Sequence, residues 1–155
     1  MLLIDGKKLA VIELDEKLVY LMVEIGEESG LSNWSAAGYS SEIKKKESVC
    51  LAALLETELI GFIIIRQISP DEAEILNFAV REKFRQKGVG KHLLETAIQK
   101  VQSIGLLENI WLEVRESNFQ AILFYEKFGF KIITKRNNFY THPAENALLM
   151  KLEIR

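Results

Sequence analysis

Asn77–His92, NFAVREKFRQKGVGKH, leads directly into Leu93–Val101, LLETAIQKV, and the reading of this stretch decides the fold. Ile75 to Val80 is mostly apolar and predicts a strand, and the charged run Arg81 to Lys87 predicts a turn. Leu93, Leu94, Ala97, Ile98 and Val101 then recur at helical spacing. The order is strand, glycine loop, helix. Arg85-Gln86-Lys87-Gly88-Val89-Gly90 puts two glycines at the mouth of that helix, where unpaired backbone N–H groups and the macrodipole favour an anion. A phosphate suits such a mouth.

Three phosphate-loop patterns compete, and spacing separates them. A Walker loop requires Gly-Lys-Ser/Thr, but Lys91 is followed by His92, which offers no hydroxyl for a magnesium ion. A dinucleotide fingerprint requires a third glycine where Leu93 stands, and no early βαβ unit surrounds the loop. The third pattern, Arg/Gln-x-x-Gly-x-Gly/Ala, is met by Arg85 to Gly90. Taken alone, the segment also fits a glycine turn at the start of an ordinary helix.

Further along, Trp111-Leu112-Glu113-Val114-Arg115 is followed by Asn118, Ala121, Phe124, Tyr125, Glu126, Gly129 and Phe130 in the run WLEVRESNFQAILFYEKFGF. Together with the glycine loop and Asn33-Trp34-Ser35, this arrangement resembles the RimI type of bacterial GNAT N-acetyltransferases. Those enzymes acetylate the N-terminal alanine of a small-subunit ribosomal protein. The resemblance covers the chain from about Asn33 onward and is strongest between Glu74 and Phe130; the first thirty or so residues match poorly.

Composition agrees with one compact domain over residues 1–155, since 48% apolar residues suffice for a full core. A net charge of -2, with 27% charged residues of both signs interspersed, predicts no nucleic-acid or membrane-surface partner. One cysteine makes neither an internal disulfide nor a thiolate metal site. No apolar run reaches the roughly 20 residues of a membrane span, and the N-terminus carries no signal pattern, so a cytoplasmic location is expected.

In chain order, Lys8 to Leu14 predicts a strand, and Asp15 an N-cap for a helix through Val19, Met22, Val23 and Ile25. Gly30 to Gly38 is a break carrying Trp34. Ser40 to Glu47 predicts a short helix whose last turn is Lys44-Lys45-Lys46. Val49–Leu55 and Leu59–Ile68 predict an antiparallel hairpin, with Cys50 buried and inert inside it. Asn109–Arg115 alternates Trp111, Glu113 and Arg115 against Leu112 and Val114. Ser117-Asn118 caps a helix that stops at Gly129, and Phe130–Thr134 and Ala147–Ile154 supply closing strands. The resemblance implies a GNAT fold: a mixed α/β, mostly antiparallel central sheet with one splayed parallel pair and helices on both faces.

Acetyl transfer from a thioester to an amine requires a neutral amine, a near-attack orientation and a proton for the departing thiolate. The resemblance implies acetyl-CoA as cosubstrate and no metal. Phe78, Ala79 and Val80 would pair with the pantetheine arm through their backbone, and Gln86, Lys87, Gly88, Val89, Gly90 and Lys91 would hold the pyrophosphate. Asn118 would contact coenzyme A as well as cap its helix. Glu113 would take the amine proton, and Tyr125 would protonate the thiolate. Without the surrounding pattern, Glu113 would read as a partner for Arg115 or a lysine, and Tyr125 as core. Trp34 and Tyr140 are the acceptor-side candidates, and His92 reads as a surface or capping histidine.

The ending departs from the RimI type. Arg136-Asn137-Asn138-Phe139-Tyr140 keeps the arginine and the second of two tyrosines, puts Phe139 at the first, and shortens the loop Thr141 to Asn146. The expected acceptor is a protein or peptide N-terminus, possible examples being ribosomal proteins. A small-molecule amine, a lysine, or a sensor that binds acyl-CoA without turnover are the alternatives, and the oligomeric state is open.

Overall fold

The computed structural model describes residues 1–30 and 34–154, so Asn33 of the Asn33-Trp34-Ser35 element lies outside the described residues. The chain forms two compact units, Met1–Arg66 with Leu76–Ile104, and Gln67–Ile75 with the chain from Gly105 onward.

The first unit opens with a hairpin. β1 (Leu3–Ile4) pairs antiparallel with β2 (Lys7–Glu13) across Asp5-Gly6. Both turn residues have positive φ, 50° and 77°. Asp-Gly tolerates that conformation, and it matches the twist of the flanking strands. The sequence reading began its strand at Lys8 and did not include β1. Asp15 accepts a hydrogen bond from the Lys17 N–H and starts the short turn that leads into α1 (Val19–Glu28).

α2 runs Ala36–Ile43, not Ser40–Glu47 as the sequence predicted. The Ser35 hydroxyl caps it by accepting from the Gly38 N–H at 3.1 Å, which draws the start back. Lys44 is the C-cap, so the three lysines lie at and beyond the helix end. β3 (Ser48–Leu55) and β4 (Glu58–Ser69) form the predicted hairpin and are buried on both faces. Cys50, Ala52, Phe62 and Ile64 pack on one face with Met22, Ile25 and Tyr39 of α1 and α2. On the other face, Leu93 of α3 (Val89–Ile104) reaches Gly61 of β4. Helices thus cover both faces of this unit's strands. Cys50 is buried as expected, and desolvation together with the Glu42 charge pushes its thiol up to about 12.

Glu42 is a buried carboxylate that the sequence reading did not single out. It accepts hydrogen bonds from the Arg66 guanidinium, the Ser48 hydroxyl and Lys45 Nζ. These bonds tie α2 to β3 and β4 and leave the buried charge paired.

β5 (Glu72–Val80) begins in the second unit and continues into the first. Its start pairs parallel with β6 (Asn109–Arg115), Glu72 opposite Asn109 and Glu74 opposite Trp111. β8 (Ala144–Glu153) lies antiparallel to β6, and β7 (Lys131–Thr141) antiparallel to β8. α4 (Phe119–Phe128) has the predicted Asn118 cap, whose side-chain oxygen accepts from the Ala121 N–H, and ends at Gly129 with φ 124°. The architecture is mixed α/β with one parallel pair among the described strand pairings.

The closing hairpin is longer than expected. The sequence left Thr141–Asn146 as a loop, but Thr141 pairs with Ala144 around a tight turn at the cis His142-Pro143 bond. Arg115 accounts for the difference: its guanidinium donates to the carbonyls of His142 and Pro143 and pairs with Glu145. A break in register between Arg136 and Tyr140 absorbs Asn138, whose φ is 54°.

Candidate active site

The predicted site residues divide between the two units. In the first, β5 delivers the chain from Phe78, Ala79 and Val80 through a short turn at Glu82–Phe84 to the glycine loop. Gln86 and Gly88 have φ of 61° and 90°, and alternation of this kind turns successive N–H groups toward one side. The first bond of α3 runs from the His92 N–H to the Gly88 carbonyl at 3.0 Å. The N–H groups of Val89, Gly90 and Lys91 therefore precede the helix ladder and have no acceptor within it. This donor set suits a diphosphate without any side chain, and Val89, whose side chain is buried, would contribute through its backbone.

Side chains around the loop have other partners. Arg85 turns inward, donating from Nε to the Val80 carbonyl at 2.8 Å and from Nη2 to Ser29 at 3.1 Å. Arg85 thus pins the loop to the end of β5, which explains its place in the motif without a ligand. Lys87 Nζ lies 3.2 Å from both carboxylate oxygens of Asp5, in the β1–β2 turn. Eighty-two positions separate the two, so no sequence signal could have joined them. His92 is half-exposed in the first turn of α3, in keeping with a capping or surface residue. The Trp34 ring packs 5.2 Å from Tyr39 against the core cluster, the contact of an aromatic anchor.

In the second unit, β6 alternates as predicted: Ile110, Leu112 and Val114 are buried, while Trp111, Glu113 and Arg115 share the opposite face. Trp111 donates from its indole N–H to Glu72 across the parallel pair. The Glu113 side chain is 17% exposed, and its Oε2 is buried without a hydrogen bond. Arg136 Nε of β7 lies 3.2 Å away, an ion pair whose alignment falls short of a hydrogen bond. Burial raises the Glu113 carboxyl above its ordinary value; the Arg136 charge opposes this, and Glu74 adds a further upward push. A carboxylate so placed is a better proton acceptor than one in open water.

Tyr125 is buried in α4, edge-on to Phe124 and Phe130 at 5.5 and 5.4 Å. Burial, with a smaller effect of Tyr140, raises its phenol well above the ordinary value, so it stays protonated across neutral pH. Tyr140 lies beneath the Arg115 guanidinium at 4.2 Å. Burial and the nearby Glu113 charge push its phenol up to about 12. The unit thus gathers Glu113, Tyr140, Arg115 and Arg136, with Asn118 capping the helix that carries Tyr125. Glu74, Arg115 and Arg136 were absent from the predicted site. The signal for Arg115 was the alternation that puts it on the face of Glu113, and for Arg136 the retained arginine of the Arg136–Tyr140 segment; Glu74 had none.

Comparison with known proteins places these features in context. The model of the acetyltransferase (GNAT) family matches residues 17–130. The ribosomal protein bS18–alanine N-acetyltransferase of Salmonella typhimurium is 41% identical over 92 residues, 58% of this chain and 62% of that enzyme. The match therefore spans less than two thirds of that relative's length. The enzyme of the same name from Haemophilus influenzae is 34% identical over 132 residues, 83% of this chain and 88% of that one. Among solved structures, the corresponding Escherichia coli enzyme aligns with a TM-score of 0.82 at 29% identity, covering 95% of this chain and 94% of that one. A streptothricin acetyltransferase, so described provisionally, from Bacillus anthracis in complex with acetyl coenzyme A aligns with a TM-score of 0.67 at 32% identity, covering 76% and 68%.

Proposed function

The chain belongs to the GNAT acetyltransferase family, and on that premise we propose that it acts as one domain to acetylate the N-terminal α-amine of a protein. The acceptor class is a ribosomal protein beginning with alanine, which would place the reaction in the cytoplasm. Support comes from the relatives named for alanine N-acetylation and, within this chain, above all from Glu113: a mostly buried mid-strand carboxyl with one oxygen left without a hydrogen bond.

The donor supplies an acetyl group activated as a thioester. The backbone N–H groups of the loop and the first turn of α3, from Gln86 to Lys91, hold its diphosphate, with Phe78–Val80 offering backbone to the pantetheine arm and Asn118 a further contact. Holding the donor at these places removes most of its freedom and orients it for attack.

An α-amine titrates near 7.7–8.0, so a carboxylate accepts its proton at modest cost near neutral pH. Glu113 takes one proton from the acceptor ammonium, freeing the nitrogen lone pair. The N–C bond forms as the C–S bond breaks, and the phenol of Tyr125 gives its proton to the departing sulfur; the nitrogen sheds a second proton as it becomes an amide, which restores the phenol, and Glu113 releases its own to solvent. Burial keeps the phenol protonated at neutral pH and makes it a weaker acid than a tyrosine in water, so the transfer depends on the charge developing on sulfur beside it. Tyr140 and Trp34 serve the acceptor side.

A peptide beginning with alanine and carrying an internal lysine, incubated with the protein and acetyl-CoA, tests this reading by fragment mass spectrometry. Acetylation on the α-amine supports it. Acetylation of the lysine alone, or binding of coenzyme A without turnover, overturns it.

A further inference from the structure

Resting on the reading of Glu113 as base, we propose that Arg136 is a positioning residue that holds the Glu113 carboxylate in its charged, proton-accepting form through their 3.2 Å ion pair.

Glu113, Arg115, Ala147, Leu149 and Arg136 occupy one face of β6, β8 and β7, because residues opposed in the antiparallel register point the same way: Glu113 opposes Leu149, Arg115 opposes Ala147, and Ala147 opposes Arg136. Ala147 carries only a methyl group, which leaves the long Arg136 side chain room to reach across β8 toward β6. The charged and titratable groups facing Glu113 among the described residues are Glu74 of β5 and Tyr140 and Arg136 of β7. Glu74 opposes ionisation. Arg115, on the same face, is committed to Glu145, to the His142 and Pro143 carbonyls and to the Tyr140 ring. That leaves Arg136 as the guanidinium paired with Glu113 among the described residues.

The geometry also suits a reversible partner. The Arg136 side chain is 51% exposed, so it keeps much of its hydration while supplying charge, and it makes no aligned hydrogen bond that would consume the Glu113 lone pairs. An aligned, bidentate pair would lower the basicity that the reaction uses. Arg136 favours the ionised carboxylate and leaves Oε2, though buried, without a hydrogen bond.

The test combines two readouts on the wild type, Arg136→Gln and Arg136→Lys. Carbon-13 NMR follows the Glu113 carboxyl titration without substrates, and kcat/KM against pH is measured with acetyl-CoA and an alanyl peptide. In Arg136→Gln the Glu113 titration moves to higher pH, the acidic limb of kcat/KM follows it by the same amount, and Arg136→Lys returns both toward the wild type. Coincident Glu113 titrations in the wild type and Arg136→Gln overturn the proposal. A titration that moves while the acidic limb stays put upholds the pairing and overturns Glu113 as the base instead. Arg136→Ala gives the same readouts should Arg136→Gln fold poorly.

Discussion

Gly61 of β4 lies so close to β5 that a Cβ added there would sit 2.9 Å from the Ala79 carbonyl oxygen, 3.3 Å from the Val80 side chain and 3.4 Å from Leu93. The first contact is with backbone, which cannot swing aside. Ala79 and Val80 are the residues whose backbone is proposed to run along the pantetheine arm. Gly61→Ala is therefore expected to cost about 1–3 kcal/mol of stability, as overpacked interiors do, and to weaken coenzyme A binding as well. Urea unfolding and a calorimetric titration with coenzyme A check both. A variant as stable as the wild type would show that β5 yields without strain.

Glu42 makes a second prediction, about acid. Burial alone would raise its carboxyl, but hydrogen bonds from Arg66 and Ser48, the Arg66 charge and a bond from Lys45 outweigh it and hold the group at about 2, below the ordinary 4.5. The folded state thus binds this proton less readily than the unfolded chain. Its stabilisation is complete above pH 4.5 and is lost as pH falls from 4.5 toward about 2. Glu42→Gln is expected to lose about 2–3 kcal/mol at neutral pH, less than for a fully buried pair because Arg66 retains some solvent. Its unfolding free energy should also fall less steeply over that acid range than the wild type's. Parallel curves in a series of urea melts would contradict this.

Tyr125 separates a catalytic phenol from a core ring. Its ring meets Phe124 and Phe130 edge-on whether or not the hydroxyl is present. Tyr125→Phe should therefore keep the fold, at a cost of about 1 kcal/mol for a lost hydroxyl. Turnover should fall by roughly 10²–10⁴-fold, the usual loss on removing a general acid. Thiol release at saturating substrates, beside a thermal melt, reads both. Wild-type turnover in a well-folded variant would assign the hydroxyl a packing role.

Much of the fold was legible because local signals agreed with tertiary demands. The β6 alternation, the Asn118 cap and the Gly129 stop each correspond to one residue with one physical reason, and each falls where the sequence put it. The misplaced elements have separate causes. The β1 hairpin was missed although Asp5-Gly6 is a strong turn signal, because Leu2-Leu3-Ile4 is too short to register as a strand by periodicity. α2 starts four residues before the predicted Ser40 because Ser35 caps it, inside the stretch up to Gly38 that reads as a break in the sequence. The length of the β7–β8 hairpin depends on Arg115, which holds the turn carbonyls from another strand, and composition cannot show that. The glycine loop could be read from spacing and the strand face of Glu113 from alternation, whereas the role expected of Glu113 came with the family resemblance. The Arg136–Glu113 and Asp5–Lys87 pairs could not be read from either, since each joins residues that only the folded backbone brings together.

The most direct test of the central claim is the thiol-release rate of Glu113→Gln at saturating acetyl-CoA and alanyl peptide, with coenzyme A affinity measured on the same sample. Glutamine keeps the shape and removes the base. The expected result is a fall in turnover of roughly 10²–10⁴-fold with unchanged coenzyme A affinity. Turnover within a few-fold of the wild type would contradict it.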